Sequence, residues 1–376
     1  MMIRSFLPVG QGAFYTERFN NVDGPINVVY DCGSYTDVDI VKENIKNIFH
    51  EGESIKAVFI SHFDDDHING LPFLLQYCKV EYLFFPLLTQ TDRKLTLLCE
   101  SVNHGRGSVA YQFLNNSRSF LSTILENNEY PRLIGIRAEE FSQNNQWDVD
   151  VSSIPSGSNV SNVIMDRATG DLCEEWEYVV YNFRESERSR ILVDELKKLF
   201  PEKKVEEILD SCKDDPIDRE KIKKAYRVVP GSFNTNSLIL FSGSRDRGVW
   251  QHSCDYYHNC FRCMRNGCDC FNYSPSGCLY MGDYDASGNE KWTSLKSVFK
   301  NYWDSIGCVQ IPHHGSKHNY NSELGKLGKY HIVSVGTKNK YSHPHACVLH
   351  DILFQKANVN LVTEQRDSQV DFYCEW

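Results

Sequence analysis

Ser61-His62-Phe63-Asp64-Asp65-Asp66-His67-Ile68-Asn69-Gly70 follows directly on Val58 to Ser61, an apolar run that reads as a buried strand. A turn at a strand's end aims His62, Asp64, Asp66 and His67 into one pocket. Imidazole and carboxylate are what divalent metals take as ligands. Four such groups within six residues repel one another unless cations sit between them. The bland alternative, an acidic surface turn, does not account for the two flanking histidines.

Three later segments have the same form. Tyr280-Met281-Gly282-Asp283 ends a strand with a lone carboxylate, which suits an oxygen donor shared by two metals. Gln310-Ile311-Pro312-His313-His314-Gly315-Ser316 ends the next strand with paired histidines. Ser334-Val335-Gly336 runs to Tyr341-Ser342-His343-Pro344-His345 after another. Each alone fits a structural loop as well as a site. Together they put metal-type ligands at four strand ends, the layout of one site at a sheet edge.

Working outward, Ile3–Val9, Ile26–Asp31 and Glu81–Phe85 read as strands, while 37–49 and 71–77 have helical spacing. Helices layered on a sheet explain that alternation. From Thr91 to Arg227 the pattern changes. Ser108–Leu125 and Arg190–Tyr226 read as helices, the latter dense in charge of both signs, and Ser152–Ser161 reads as a loop. The α/β rhythm resumes after Pro230, with strands at 237–241, 278–281, 308–311 and 332–335 and a helix over 292–303. The chain therefore divides into 1–90, the first half of a core; 91–229, a mainly helical insertion or cap with connecting strands; and 230–376, the second half, holding a Cys-rich insert at 252–278.

The whole chain, 376 residues with 41% hydrophobic and 24% charged residues, has ordinary globular composition. A net charge of −10 argues against a coat of basic patches for long duplex DNA, though not against a local basic groove. No apolar run approaches the roughly 20 residues of a membrane helix. Met1–Gln11 reads as a strand, not a signal peptide, so the fourteen cysteines are expected reduced in a cytoplasmic protein. Cys254, Cys260, Cys263, Cys268, Cys270 and Cys278 crowd together, with Cys260-Phe261-Arg262-Cys263 at knuckle spacing. A short insert with little apolar mass needs a staple, and a structural zinc is the expected one. Free thiols or a redox role are the alternatives.

The motifs are specific enough to name a resemblance. Phe6-Leu7-Pro8-Val9-Gly10-Gln11-Gly12, Tyr30-Asp31-Cys32-Gly33, His62–Gly70, Asn234–Leu238, Gly282-Asp283, Pro312–Lys317 and Ser334–His345 resemble, in order, a metallo-β-lactamase-fold hydrolase of the competence-protein type. That type comprises the nuclease-like domain of the DNA-uptake channel and its free-standing soluble relatives. The resemblance covers about 220 residues. It implies an α/β fold, an αββα sandwich, with two divalent metals, zinc or manganese. His62 and Asp64 would hold one metal, Asp66 and His67 the other, with Asp283 bridging and one of His313 and His314 completing the set. His343 and His345 would flank the scissile group as ligand, phosphate contact or proton donor, and Asp31 would support the metal loop from behind. Asp64 stands where most superfamily members have histidine; being harder than imidazole, it makes manganese a rival to zinc.

The chain departs from the pattern at two places. Ala13 replaces a frequent acidic residue, and no histidine is evident between the metal loop and Asp283. His104 is the candidate there, against the plainer reading of a surface-loop histidine. The implied activity is hydrolysis of phosphodiesters by a metal-bound hydroxide, with a nucleic acid or nucleotide as substrate and Asp66 with His343 and His345 in the catalytic roles. Two other classes remain open at this level. One is hydrolysis of a different small ester or amide. The other is a partner-regulated binding module of a multi-protein, possibly defence, system, meeting its protein partner through the mid-chain insertion.

Overall fold

The computed structural model describes the chain except residues 22–23, 126–128, 139–150, 166–175, 184–185, 205–206, 209–215, 230–236, 245–247, 254–272 and 376. Its strands, in chain order, are β1 (Met2–Phe6), β2 (Gly12–Phe19), β3 (Ile26–Ser34), β4 (Ser54–Phe59), β5 (Lys79–Leu87), β6 (Arg132–Arg137), β7 (Val151–Pro155), β8 (Trp176–Tyr181), β9 (Ile239–Ser244), β10 (Trp250–Ser253), β11 (Ser274–Pro275), β12 (Gly277–Tyr280), β13 (Ile306–Gln310), β14 (Tyr330–Ser334), β15 (Asn358–Val362) and β16 (Val370–Glu375). They form two sheets, β11-β10-β16-β1-β2-β3-β4-β5-β6-β7 and β15-β14-β13-β12-β9-β8. The site draws on α1 (Val38–Ile48), α2 (Asp65–Ile68), α3 (Leu71–Tyr77) and α4 (Gln90–Asn103). Among the described residues, no helix is long and apolar enough to cross a membrane.

The period-2 side-chain alternation sorts strand residues into layers. Trp176, Tyr178 and Val180 on β8, Leu240 on β9 and Cys278 and Tyr280 on β12 face Phe6, Tyr15, Tyr30, Phe59 and Phe84 of the other sheet. Their neighbours Val179, Tyr181, Ile239, Phe241 and Leu279 face outward, against the helices 289–298 and 346–354. On the far side Val29, Val58 and Phe85 pack under Val41 and Ile45 of α1 and Leu71 and Leu74 of α3. Helix, sheet, sheet and helix follow in order, as the αββα expectation required. α1 begins where the Asp37 carboxylate accepts the Asp39 N–H, which satisfies one orphan donor of the first turn.

Between the sheets lies one buried charge pair. Arg4 Nε donates to Glu17 Oε1 at 2.8 Å, and the Arg4 side chain is fully buried. Glu17 also accepts from Tyr280 Oη at 2.8 Å, Tyr178 Oη at 2.8 Å and Ser242 Oγ at 2.6 Å. Arg4 donates onward to Gln251 Oε1 at 2.7 Å and Ser276 O at 2.9 Å. β1 and β2 are thereby tied to β8, β9 and β12 across the interface.

The mid-chain segment, expected as a mainly helical insertion with connecting strands, contributes strands to both sheets. β6, β7 and β8 all fall within 91–229 and belong to the two sheets. Residues 152–155, expected as loop, run along the edge in β7, parallel to β6. An edge strand exposed at Ser152, Ser153 and Pro155 tolerates the serines that made it look like a loop. Among the described residues the charged segment 190–226 falls largely in the helices Ser186–Leu199 and Pro216–Val228. They and α4 share a cluster of Leu95, Leu98, Val102, Leu192, Leu196 and Ile222.

Glu17→Ala leaves the Arg4 guanidinium charged, buried and short of its partner, a change that costs about 3–5 kcal/mol. Urea unfolding should show that loss. The paired replacement Arg4→Met with Glu17→Met should recover most of it, since no buried charge is then stranded.

Candidate metal centre

Parallel pairing of β3 with β4, of β12 with β13 and of β13 with β14 brings their carboxyl ends to one edge of the sandwich. The ligand-type loops leave from those ends. β4 leads through Ser61 into His62 and the single turn of α2, which Asp64 caps. β12 leads to Asp283, β13 to His313 and His314, and β14 to His343 and His345.

Asp31 is the extra residue of a β-bulge. Phe14 pairs with Cys32 and Tyr15 with Tyr30, so Asp31 has no partner on β2 and takes a positive φ of 56°. Its carboxylate turns to the metal loop, accepting from the Ser61 N–H at 2.6 Å and the Ser61 hydroxyl at 2.7 Å. It also contacts His67 Nδ1 at 2.8 Å. That bond assigns the proton to Nδ1 and leaves His67 Nε2 as the free donor atom. The loop lies flat on β3 because residue 33 is glycine: a Cβ there would meet the Asp66 carbonyl carbon and the His67 nitrogen at 2.6 Å. Gly282, at φ 53°, turns the chain into Asp283 with no room for a side chain against Ser61.

The two oxygens of Asp283 face different ligands. Oδ2 lies 3.8 Å from His62 Nε2 and 3.6 Å from His313 Nε2, and His62 Nε2 is 3.6 Å from Asp64 Oδ2. Oδ1 lies 3.3 Å from His67 Nε2 and 3.9 Å from His314 Nε2. Asp66 Oδ2 is 3.2 Å from His314 Nε2 and 3.9 Å from His67 Nε2. A cation about 2.1 Å from each of four ligands leaves those ligands about 3.4 Å apart. His62 Nε2, His67 Nε2, Asp66 Oδ1 and Asp283 Oδ1 are also buried without hydrogen-bond partners. Buried polar atoms are rarely left so. The donors suit divalent cations, and those close enough to share one ion fall into two overlapping groups, His62 with His67 and Asp283, and Asp66 with His67 and His314.

Electrostatics agree with the geometry. Burial works against a charged His67, yet Asp66, Asp31 and Asp283 outweigh it and hold the ring well above the ordinary histidine range. Burial likewise opposes ionised Asp283, but His313, His67 and His314 drive it well below the ordinary carboxylate range. His314 is raised against its burial by the hydrogen bond to Asp66 and the charge of Asp283.

His343 stands beside these ligands, its ring 5.5 Å from His313 and 6.4 Å from His314. Burial and the neighbouring imidazoles push it down to about 4. His345, its ring 5.1 Å from His343, accepts the Lys317 N–H at Nδ1. His104 joins none of the bridging ligands; its Nδ1 is 3.3 Å from Asp65 Oδ2.

Several supporting residues were given no role by the sequence reading. Ser237 Oγ accepts the Asp283 N–H at 2.8 Å and contacts His62 Nδ1 at 3.2 Å. Gln310 clamps the turn before Asp283, its Oε1 accepting from Met281 N–H and Gly282 N–H. Asn319 donates to Asp283 O. A polar side chain at a strand end was the available signal, too common to single these out. Of the crowded cysteines, Cys278 is buried on β12 beside the Cys308 thiol. Cys254, Cys260, Cys263, Cys268 and Cys270 lie outside the described residues, as do Asn234, Thr235 and Asn236.

Residues 24–87 match the metallo-beta-lactamase superfamily. That span runs from β3 through the metal loop to β5, and the layered architecture around it is the metallo-β-lactamase sandwich. Among solved structures the chain is similar to unliganded yeast PDE1, at 9% identity over 99% of this chain and 100% of that one, with a TM-score of 0.41. It is also similar to the metallo-beta-lactamase SMB-1 bound to 2-mercaptoethanesulfonate, at 11% identity over 82% and 79% of the two chains, with a TM-score of 0.30. Neither likeness bears on activity. No curated protein matches the sequence.

Asp31→Asn keeps the shape of the support but weakens its hold on His67. It should lower affinity for the Asp66–His67–His314 metal about 10–100-fold, read by competition against a chelator.

Proposed function

We propose that the chain is a metal-dependent hydrolase of phosphodiesters, acting on a nucleic acid or nucleotide. The observation that carries this is Asp283, with one oxygen toward His62 and His313 and the other toward His67 and His314. A pair of divalent ions so held supplies a nucleophile at neutral pH and neutralises charge on the attacked centre.

The protein's own groups do the rest. Asp31 and Ser237 fix the imidazoles that meet the metals. His343, neutral at neutral pH, offers a ring N–H to a phosphoryl oxygen at the pocket mouth. Its Nδ1 is buried without a hydrogen-bond partner. Lys317, on the loop that carries His313 and His314, and Lys338 and Lys340, on the loop that carries His343 and His345, are exposed. They favour an anionic substrate on a chain whose net charge is −10.

The proposal is tested with a labelled single-stranded oligonucleotide, a cyclic nucleotide and an aryl phosphodiester, each with zinc and with manganese. Cleavage that needs metal and disappears in Asp66→Ala supports it. Intact phosphodiesters beside turnover of a carboxylic ester or amide overturn it. His343→Ala should keep its metals and lose about 10²–10³ in kcat, as the loss of one aimed donor does.

A further inference from the structure

A second group of ligand-type side chains sits beside the metal loop, outside the dinuclear set. Asp65, Glu100 and His104 each offer an atom within 4.8 Å of the other two. Glu100 and His104 are four residues apart, so α4 presents both on one face. The end of α4 is fixed, because His104 N–H and Gly105 N–H both donate to Glu100 O at 2.9 Å and Gly105 takes φ 86°. Asp65 comes from the opposite side, on α2, between Asp64 and Asp66.

We propose that Asp65, Glu100 and His104 form a third divalent-cation site, which ties the helical insertion to the catalytic metal loop. Two carboxylates and one imidazole make a hard donor set, suited to manganese or magnesium more than to a thiophilic ion. An unpartnered oxygen and a buried carboxyl face the site. Asp65 Oδ1 is buried with no hydrogen-bond partner. Glu100 is 2% exposed, with a hydroxyl, Ser108 Oγ at 3.2 Å, donating to Oε2. The site is open on one side, where the His104 and Asp65 side chains are 29% and 22% exposed, leaving coordination positions to water or to a substrate oxygen. The plain alternative is a His104–Asp65 ion pair with no cation.

The site stands independently of the phosphodiesterase proposal, and manganese is the probe, since thiolates in the Cys-rich insert select zinc. Equilibrium dialysis of manganese against the full chain should give one equivalent fewer for Glu100→Gln/His104→Gln than for wild type. Asp283→Asn should lose the dinuclear pair and keep the third ion. Equal binding by wild type and Glu100→Gln/His104→Gln overturns the proposal, whatever Asp283→Asn does. A failure of the dinuclear centre is read separately, as an Asp283→Asn variant that binds like wild type. If the double variant does not fold, manganese-soaked crystals of the wild type decide. An anomalous peak within about 2.5 Å of all three side chains supports the site, and no peak there overturns it.

Discussion

Asp31, Asp64, Asp66 and Asp283 converge on one pocket, three of them nearly or wholly buried, and carboxylates so placed need positive charge between them. Without it the carboxylates raise the imidazoles of His67 and His314, and those imidazoles hold Asp283 below the ordinary carboxylate range. Unpartnered Nε2 and Oδ1 atoms facing one another are the signature of ligands built for something denser in charge than a proton. The two oxygens of a single aspartate divide that demand into two places.

Everything around the pocket serves to hold those ligands still. The bulge at Asp31 converts one strand residue from a rung of the ladder into a buttress for the next loop. Glycine at 33 lets that loop approach the strand backbone, and Gln310 fastens the turn that delivers Asp283. His313 and His314 both adopt positive φ, 50° and 54°, and Gly315 follows at 79°. Three successive left-handed residues swing the two rings to different sides of Asp283. Strain of that kind is tolerated where the surroundings over-determine it, and it clusters at functional sites.

Much of this was legible in the sequence, and the rest was hidden for physical reasons. His62, Asp64, Asp66 and His67 lie within six residues, so chain proximity alone brought them together. Asp283 and the paired histidines announced themselves by ending apolar runs. The choice between His313 and His314 could not be read, since it depends on two backbone φ values; the structure places both beside Asp283, on different oxygens. β2 escaped notice because Thr16, Glu17 and Arg18 break its apolar pattern, and Glu17 is buried only because Arg4 answers it. β6, β7 and β8 looked like part of an insertion because long connections separate them from their sheets. The role of Ser237 and Gln310 rests on hydrogen bonds to backbone, which leave no periodic trace.

The most direct measurement is anomalous diffraction from crystals grown with manganese. The account predicts two peaks about 3.5–4 Å apart on either side of the Asp283 carboxylate, one against His62 and Asp64 and the other against His67 and His314. A single peak, or a pair that leaves Asp283 uncoordinated, would contradict it.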